Sequence, residues 1–89
     1  MTLQSLRIVN EKGLHARASA KFVEVVEGFD ATAQVSRDGM TVSGDSIMGL
    51  LMLAASCGTT IEVETGGAQA QALAAALAAL VADCFGEDR

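Results

Sequence analysis

In the run Gly13-Leu14-His15-Ala16-Arg17 the chain's single histidine stands two residues from an arginine, where a loop of Asn10 to Gly13 gives way to a helical pattern starting near Ala16. An imidazole can attack a phosphoryl group through a ring nitrogen and release it again, because the ring is a good leaving group. The place suits that chemistry. At a helix start the first N–H groups lack intrahelical partners and the dipole turns its positive end outward, so an anion held there is stabilised by backbone alone. Arg17 adds a planar cationic fork matched to phosphate oxygens.

Residues two apart diverge inside a regular helix, so His15 and Arg17 converge only if His15 is the last residue before the helix and Arg17 lies in its first turn. Gly13 permits the backbone turn that delivers the ring there. No Ser or Cys stands beside His15, and no acid is placed by spacing to orient it, so a hydrolytic triad has no support. Taken alone, the same residues also describe a histidine lining a helix start next to a solvated charge.

The elements around this run follow from periodicity. Leu6 and Ile8 alternate with Arg7 and Val9 as a half-buried strand. From Ala16 to Glu27, Ala18, Phe22, Val25 and Val26 repeat at helical spacing, and Gly28 ends the stretch. Ala31, Ala33 and Val35 alternate as a second strand, and Asp38-Gly39 is a hairpin turn leading into Met40 to Val42. A short apolar helix runs from Ile47 to about Ala55, with Asp45 or Ser46 as its N-cap and Gly58 closing it. Ile61 and Val63 mark a fourth strand, and Gly66-Gly67 turns the chain into an alanine-rich helix from Ala68 to about Phe85. Its apolar stripe is Leu73, Leu77, Leu80, Val81 and Cys84. The order βαββαβα predicts an α+β sandwich with helices on one face of a mainly antiparallel sheet.

Composition narrows the function. Eighty-nine residues, 51% of them hydrophobic, suffice for one modest core, so residues 1–89 are expected to form a single domain. A formal charge of −5, six scattered basic residues and three aromatics, all Phe, exclude a nucleic-acid binder. There is no apolar run long enough to span a membrane and no signal-type N-terminus, which points to the cytoplasm. Cys57 and Cys84 lack metal or redox spacing and are expected to be small buried apolar residues. No clustered ligands suggest a metal site, and Gly66-Gly67 without a lysine is a turn rather than a phosphate loop.

The second helix carries more apolar residues than one sheet layer can cover: Ile47, Met48, Leu50, Leu51, Met52 and Leu53. Some must be exposed, and flexible Met suits a surface that meets several partners.

Two segments bring a family into view. Val9 to Arg17, continued by Ala18-Ser19-Ala20-Lys21-Phe22-Val23, resembles the active-site segment of the HPr phosphocarriers of the phosphoenolpyruvate-dependent phosphotransferase system. Ser43-Gly44-Asp45-Ser46-Ile47-Met48-Gly49-Leu50-Leu51 resembles the segment with that family's regulatory serine and docking patch. Most members have Pro after the arginine, where this chain has Ala18; Pro in a first helical turn adds only rigidity. The resemblance implies an HPr-like open-faced sandwich, a four-stranded antiparallel sheet with three helices on one face. It implies a carrier rather than a turnover enzyme, with His15 phosphorylated on Nδ1 by enzyme I and the group passed to EIIA-type proteins. The branch is either sugar uptake or a nitrogen-related regulatory relay. The resemblance further implies that Arg17 stabilises the phosphate, that Ser46 is a candidate target of HPr kinase/phosphorylase, and that Ala16, Ala20, Ile47, Met48 and Leu51 dock the partners. No cofactor or metal is expected, and the chain is expected to be a monomer. The rival reading is an HPr-like regulatory module binding through the Ser46 face; such modules typically lack the histidine that is present here.

Overall fold

Alternation of side chains sets the sheet, and it starts earlier than Leu6. In the computed structural model, which describes residues 2–88, strand β1 spans Thr2–Arg7 and its even-numbered residues turn inward. Helix α1 follows (Ala16–Glu27), then the strands β2 (Thr32–Arg37) and β3 (Met40–Ser43), helix α2 (Ile47–Met52), strand β4 (Thr60–Gly66) and helix α3 (Ala70–Ala82). The four strands form one antiparallel sheet in the order β1-β4-β2-β3. Asp38 and Gly39 both have positive φ, 51° and 81°, the two-residue turn whose twist matches a hairpin. The expected architecture is therefore observed.

Side chains from the inner sheet face and the three helices meet in one core, where Ile8, Phe22, Val35, Leu50, Ile61, Val63, Leu73, Leu77 and Phe85 are all fully buried. Two polar side chains on that inner face are satisfied by helix α3: Gln4 Nε2 donates to Ala74 O (2.8 Å) and Thr65 Oγ1 to Ala70 O (2.9 Å). Each would cost on the order of 1–3 kcal/mol if left unpaired.

Two helix ends differ from the sequence expectation, each for a tertiary reason. Helix α2 stops at Met52, because Arg37 Nη1 from β2 donates to Leu53 O (2.9 Å) and Ala54 turns to φ 51°; Gly58 plays no part in closing it. A cation at the last carbonyls suits the dipole. Helix α3 ends at Ala82, and a 3₁₀ turn over Cys84–Gly86 sends Phe85 back into the core. Cys84 and Phe85 take φ of 54° and 55°, a left-handed conformation costing roughly 1–2 kcal/mol per residue, offset by burying a whole Phe side chain at about 1.5–3 kcal/mol. Gly28 ends α1 with ordinary φ −79°. Cys57, expected inside, is exposed, and Cys84 is only half-buried.

Candidate functional site

Helix α1 begins where the sequence places it, with His15 as the N-cap in extended backbone and no side chain capping the turn. Among the described residues, the N–H groups of Ala16, Arg17 and Ala18 donate to no backbone carbonyl; the first helical bond is Ser19 N–H to His15 O at 2.8 Å. The helix therefore presents unpartnered donors beside the imidazole, the arrangement that favours a bound anion.

Gly13 delivers the ring. Its φ is +69°, and an added Cβ would lie 2.6 Å from Ala55 O and 2.8 Å from Ser56 Cα. The loop is thus pressed backbone to backbone against the turn that follows α2, and Leu14 N–H donates to Ala55 O at 2.8 Å. Only glycine meets both requirements.

The ring's Nε2 is hydrogen-bonded to Glu87 Oε2, a residue at the far end of the chain that sequence spacing gave no reason to select. Glu87 Oε1 accepts from Asn10 Nδ2 at 3.0 Å, and the same amide donates to Gly13 O at 2.8 Å. Asn10 is fully buried, with Oδ1 unpartnered among the described residues. The Asn10 hydrogen bond above all, with His15 and Lys12 adding to it against partial burial, holds the Glu87 carboxyl below its ordinary value of 4.5. Glu87 is therefore ionised near neutral pH and can only accept. Nε2 must then be the donor, which in a neutral ring leaves the lone pair on Nδ1.

Arg17 is exposed, and among the described residues no carboxylate pairs with it. It lines a cleft of about 550 Å³ together with Glu11, Lys12, Lys21, Glu87 and Asp88. No group of three or more potential metal-ligating side chains exists among the described residues, and none of their helices is long and apolar enough to cross a membrane.

The second predicted segment is separate from this cleft. Ser46, rather than Asp45, caps α2: its Oγ accepts from Gly49 N–H at 3.0 Å. Of the apolar residues here Leu50 is buried, Ile47, Met48 and Met52 are exposed, and Leu51 is half-buried. Met52 is thus exposed beside Ile47, Met48 and Leu51, the residues that the resemblance names for docking. Ala16 and Ala20 on α1 are exposed as well, and α1 packs against α2.

Comparisons with known proteins show the class to which this βαββαβα open-faced sandwich belongs. The family PTS-HPr, "PTS HPr component phosphorylation site", matches residues 3–83. The phosphocarrier protein HPr of Neisseria meningitidis serogroup A is 47% identical over 87 residues, covering 98% of each chain. The phosphocarrier protein NPr of Escherichia coli K12 is 40% identical over 86 residues and 96% of each. A crystal structure of HPr-C-His from Thermoanaerobacter tengcongensis superposes with a TM-score of 0.95 at 32% identity, covering all of both chains. The chain belongs to the HPr family of phosphotransferase-system phosphocarriers. Its relatives are named as carriers, not catalysts.

Proposed function

We propose that the protein carries a phosphoryl group on His15 Nδ1, receiving it from enzyme I charged by phosphoenolpyruvate and passing it to EIIA-type proteins. The observation that carries this reading is the placement of His15 as N-cap of an uncapped helix, with Nε2 engaged by Glu87 so that Nδ1 holds the lone pair. The free N–H groups of the first turn and the unpaired Arg17 guanidinium are there to stabilise phosphoryl oxygens as charge builds on them. Ala16 and Ala20, small and exposed, let a partner approach α1 closely, while Ile47, Met48 and the half-buried Leu51 supply the apolar contact. One such surface meets donor and acceptor in turn, as a monomer in the cytoplasm.

Ser46 serves as a regulatory phosphorylation site on the same surface. A phosphate there suits the helix terminus yet adds nearly two negative charges beside Ile47 and Met48. Relatives of both the HPr and NPr kinds match this chain, so the branch, sugar uptake or nitrogen-related regulation, is decided by which EIIA accepts the group.

The test is labelling of the full chain with enzyme I and phosphoenolpyruvate. We expect one acid-labile, base-stable phosphate, absent in His15→Ala. Undiminished labelling of that variant would end the phosphohistidine reading.

A further inference from the structure

A phosphohistidine makes a demand on the ring nitrogen that does not carry the phosphoryl group. Imidazole leaves readily as a neutral ring and poorly as an imidazolate anion, so the N–P bond stays reactive only while the other nitrogen keeps its proton. Under the reading above, on which this inference rests, that nitrogen is Nε2, and the group facing it is Glu87.

The carboxylate is held from behind. Asn10 Nδ2 grips Oε1 at 3.0 Å and Gly13 O at 2.8 Å. The amide cannot turn over, because its oxygen would then meet a carbonyl and a carboxylate, acceptor against acceptor. Two residues before Glu87 the chain is anchored by Phe85, whose side chain is fully buried and whose carbonyl accepts from Lys21 Nζ at 2.7 Å. The Glu87 side chain is only 14% exposed.

We propose that Glu87 is a positioning residue of the carrier cycle, its carboxylate keeping the proton on His15 Nε2 before, during and after the phosphoryl group occupies Nδ1. The cycle then balances with no proton transfer. The Nδ1 lone pair of the neutral ring attacks phosphorus; the Nδ1–P bond forms as the donor's bond to phosphorus breaks, and the donor keeps that electron pair. The ring becomes a phosphoimidazolium whose Nε2–H still points at Glu87. Onward transfer breaks the Nδ1–P bond, returns its electron pair to Nδ1 and restores the starting tautomer. The other charged groups around the cleft are Glu11, Lys12, Arg17, Lys21 and Asp88. They mix both signs, and among the described residues only Glu87 is hydrogen-bonded to the ring.

The experiment compares the full-length protein with Glu87→Gln and Glu87→Ala. Nitrogen-15 shifts of His15 report which ring nitrogen carries the proton in the free protein. The rate of phosphohistidine hydrolysis is then followed against pH after labelling by enzyme I. All three proteins should label on His15. The wild type should hold the Nε2–H tautomer and the variants a mixture. The alkaline edge of fast hydrolysis should fall by about one pH unit in the variants, about a tenfold slower loss at a pH on that edge. Superimposable profiles and an unchanged tautomer would overturn the role of Glu87 while leaving His15 as the carrier. A wild-type protein that takes no label on His15 would overturn both.

Discussion

The two helix starts that carry the candidate chemistry are built in opposite ways. At α2 the cap is local, Ser46 Oγ accepting from an N–H three residues on. At α1 the first turn has no side-chain cap, and the ring of His15 is held by a carboxylate 72 residues away, itself steadied by Asn10. A local cap needs only its own turn to form. The His15 site exists only when the loop before α1 and the segment after α3 are both in place. The self-contained start leaves its apolar neighbours Ile47 and Met48 exposed, whereas the assembled one fixes the orientation of an imidazole.

The comparison can be tested by substitutions whose effects separate the two starts. The largest effect short of removing His15 should come from Arg17→Ala, which deletes a cation from the assembled site without touching the nucleophile. Transfer to and from His15 should slow by about 10²-fold with stability unchanged. Rapid-quench transfer kinetics at wild-type rates would show that the backbone N–H groups suffice.

At α2 a smaller, divided response is expected. Ser46→Ala should cost about 1 kcal/mol in urea unfolding, because the cap is lost, with transfer preserved. Ser46→Asp keeps a cap and should hold stability, yet slow transfer from enzyme I by placing charge beside Ile47 and Met48. Met48→Glu should act like the latter, since Met48 is 71% exposed. Unfolding of Met48→Glu would instead assign that side chain to the core and move the docking surface elsewhere.

The smallest effect concerns pH. Glu87 titrates below its ordinary value in the folded protein, so its contribution to stability is complete above about 4.5 and disappears as pH falls through the lower folded value. The stability gap between wild type and Glu87→Gln should therefore shrink on acidification through that range. A gap that stays constant would show that the Asn10 contact does not depend on the carboxylate's charge.

What the sequence foretold follows the same local-to-distant division. Alternation at Ala33 and Val35, the Asp38-Gly39 turn and the α2 cap, narrowed to Asp45 or Ser46 and found at Ser46, depend on neighbours within a few residues, and periodicity or turn chemistry located each of them. The placement of His15 and Arg17 at the start of α1 was legible because that helix start is local too. Glu87 was not, since no spacing rule joins a residue near one end of a chain to a ring near the other. The early ends of α2 and α3 were missed for a like reason: Arg37 reaching Leu53 O and Phe85 turning inward are tertiary events. Cys57 was misplaced because residue type alone says inside, while its turn lies on the surface.

The close approach of Gly13 to Ala55 and Ser56 has a kinetic consequence. That contact is continuous with the pairing of Ile8 and Thr59, and beyond it with the β1–β4 ladder, whose partners lie more than fifty residues apart. Long-range pairing is entropically slow to form and, once formed, opens only with a large part of the sheet. The His15 ring therefore reaches its observed geometry late in folding. A chain emerging from synthesis contains His15 long before it has Glu87 or the strand β4 to set it, so under the proposed carrier role a chain able to accept a phosphoryl group is one that has completed its fold.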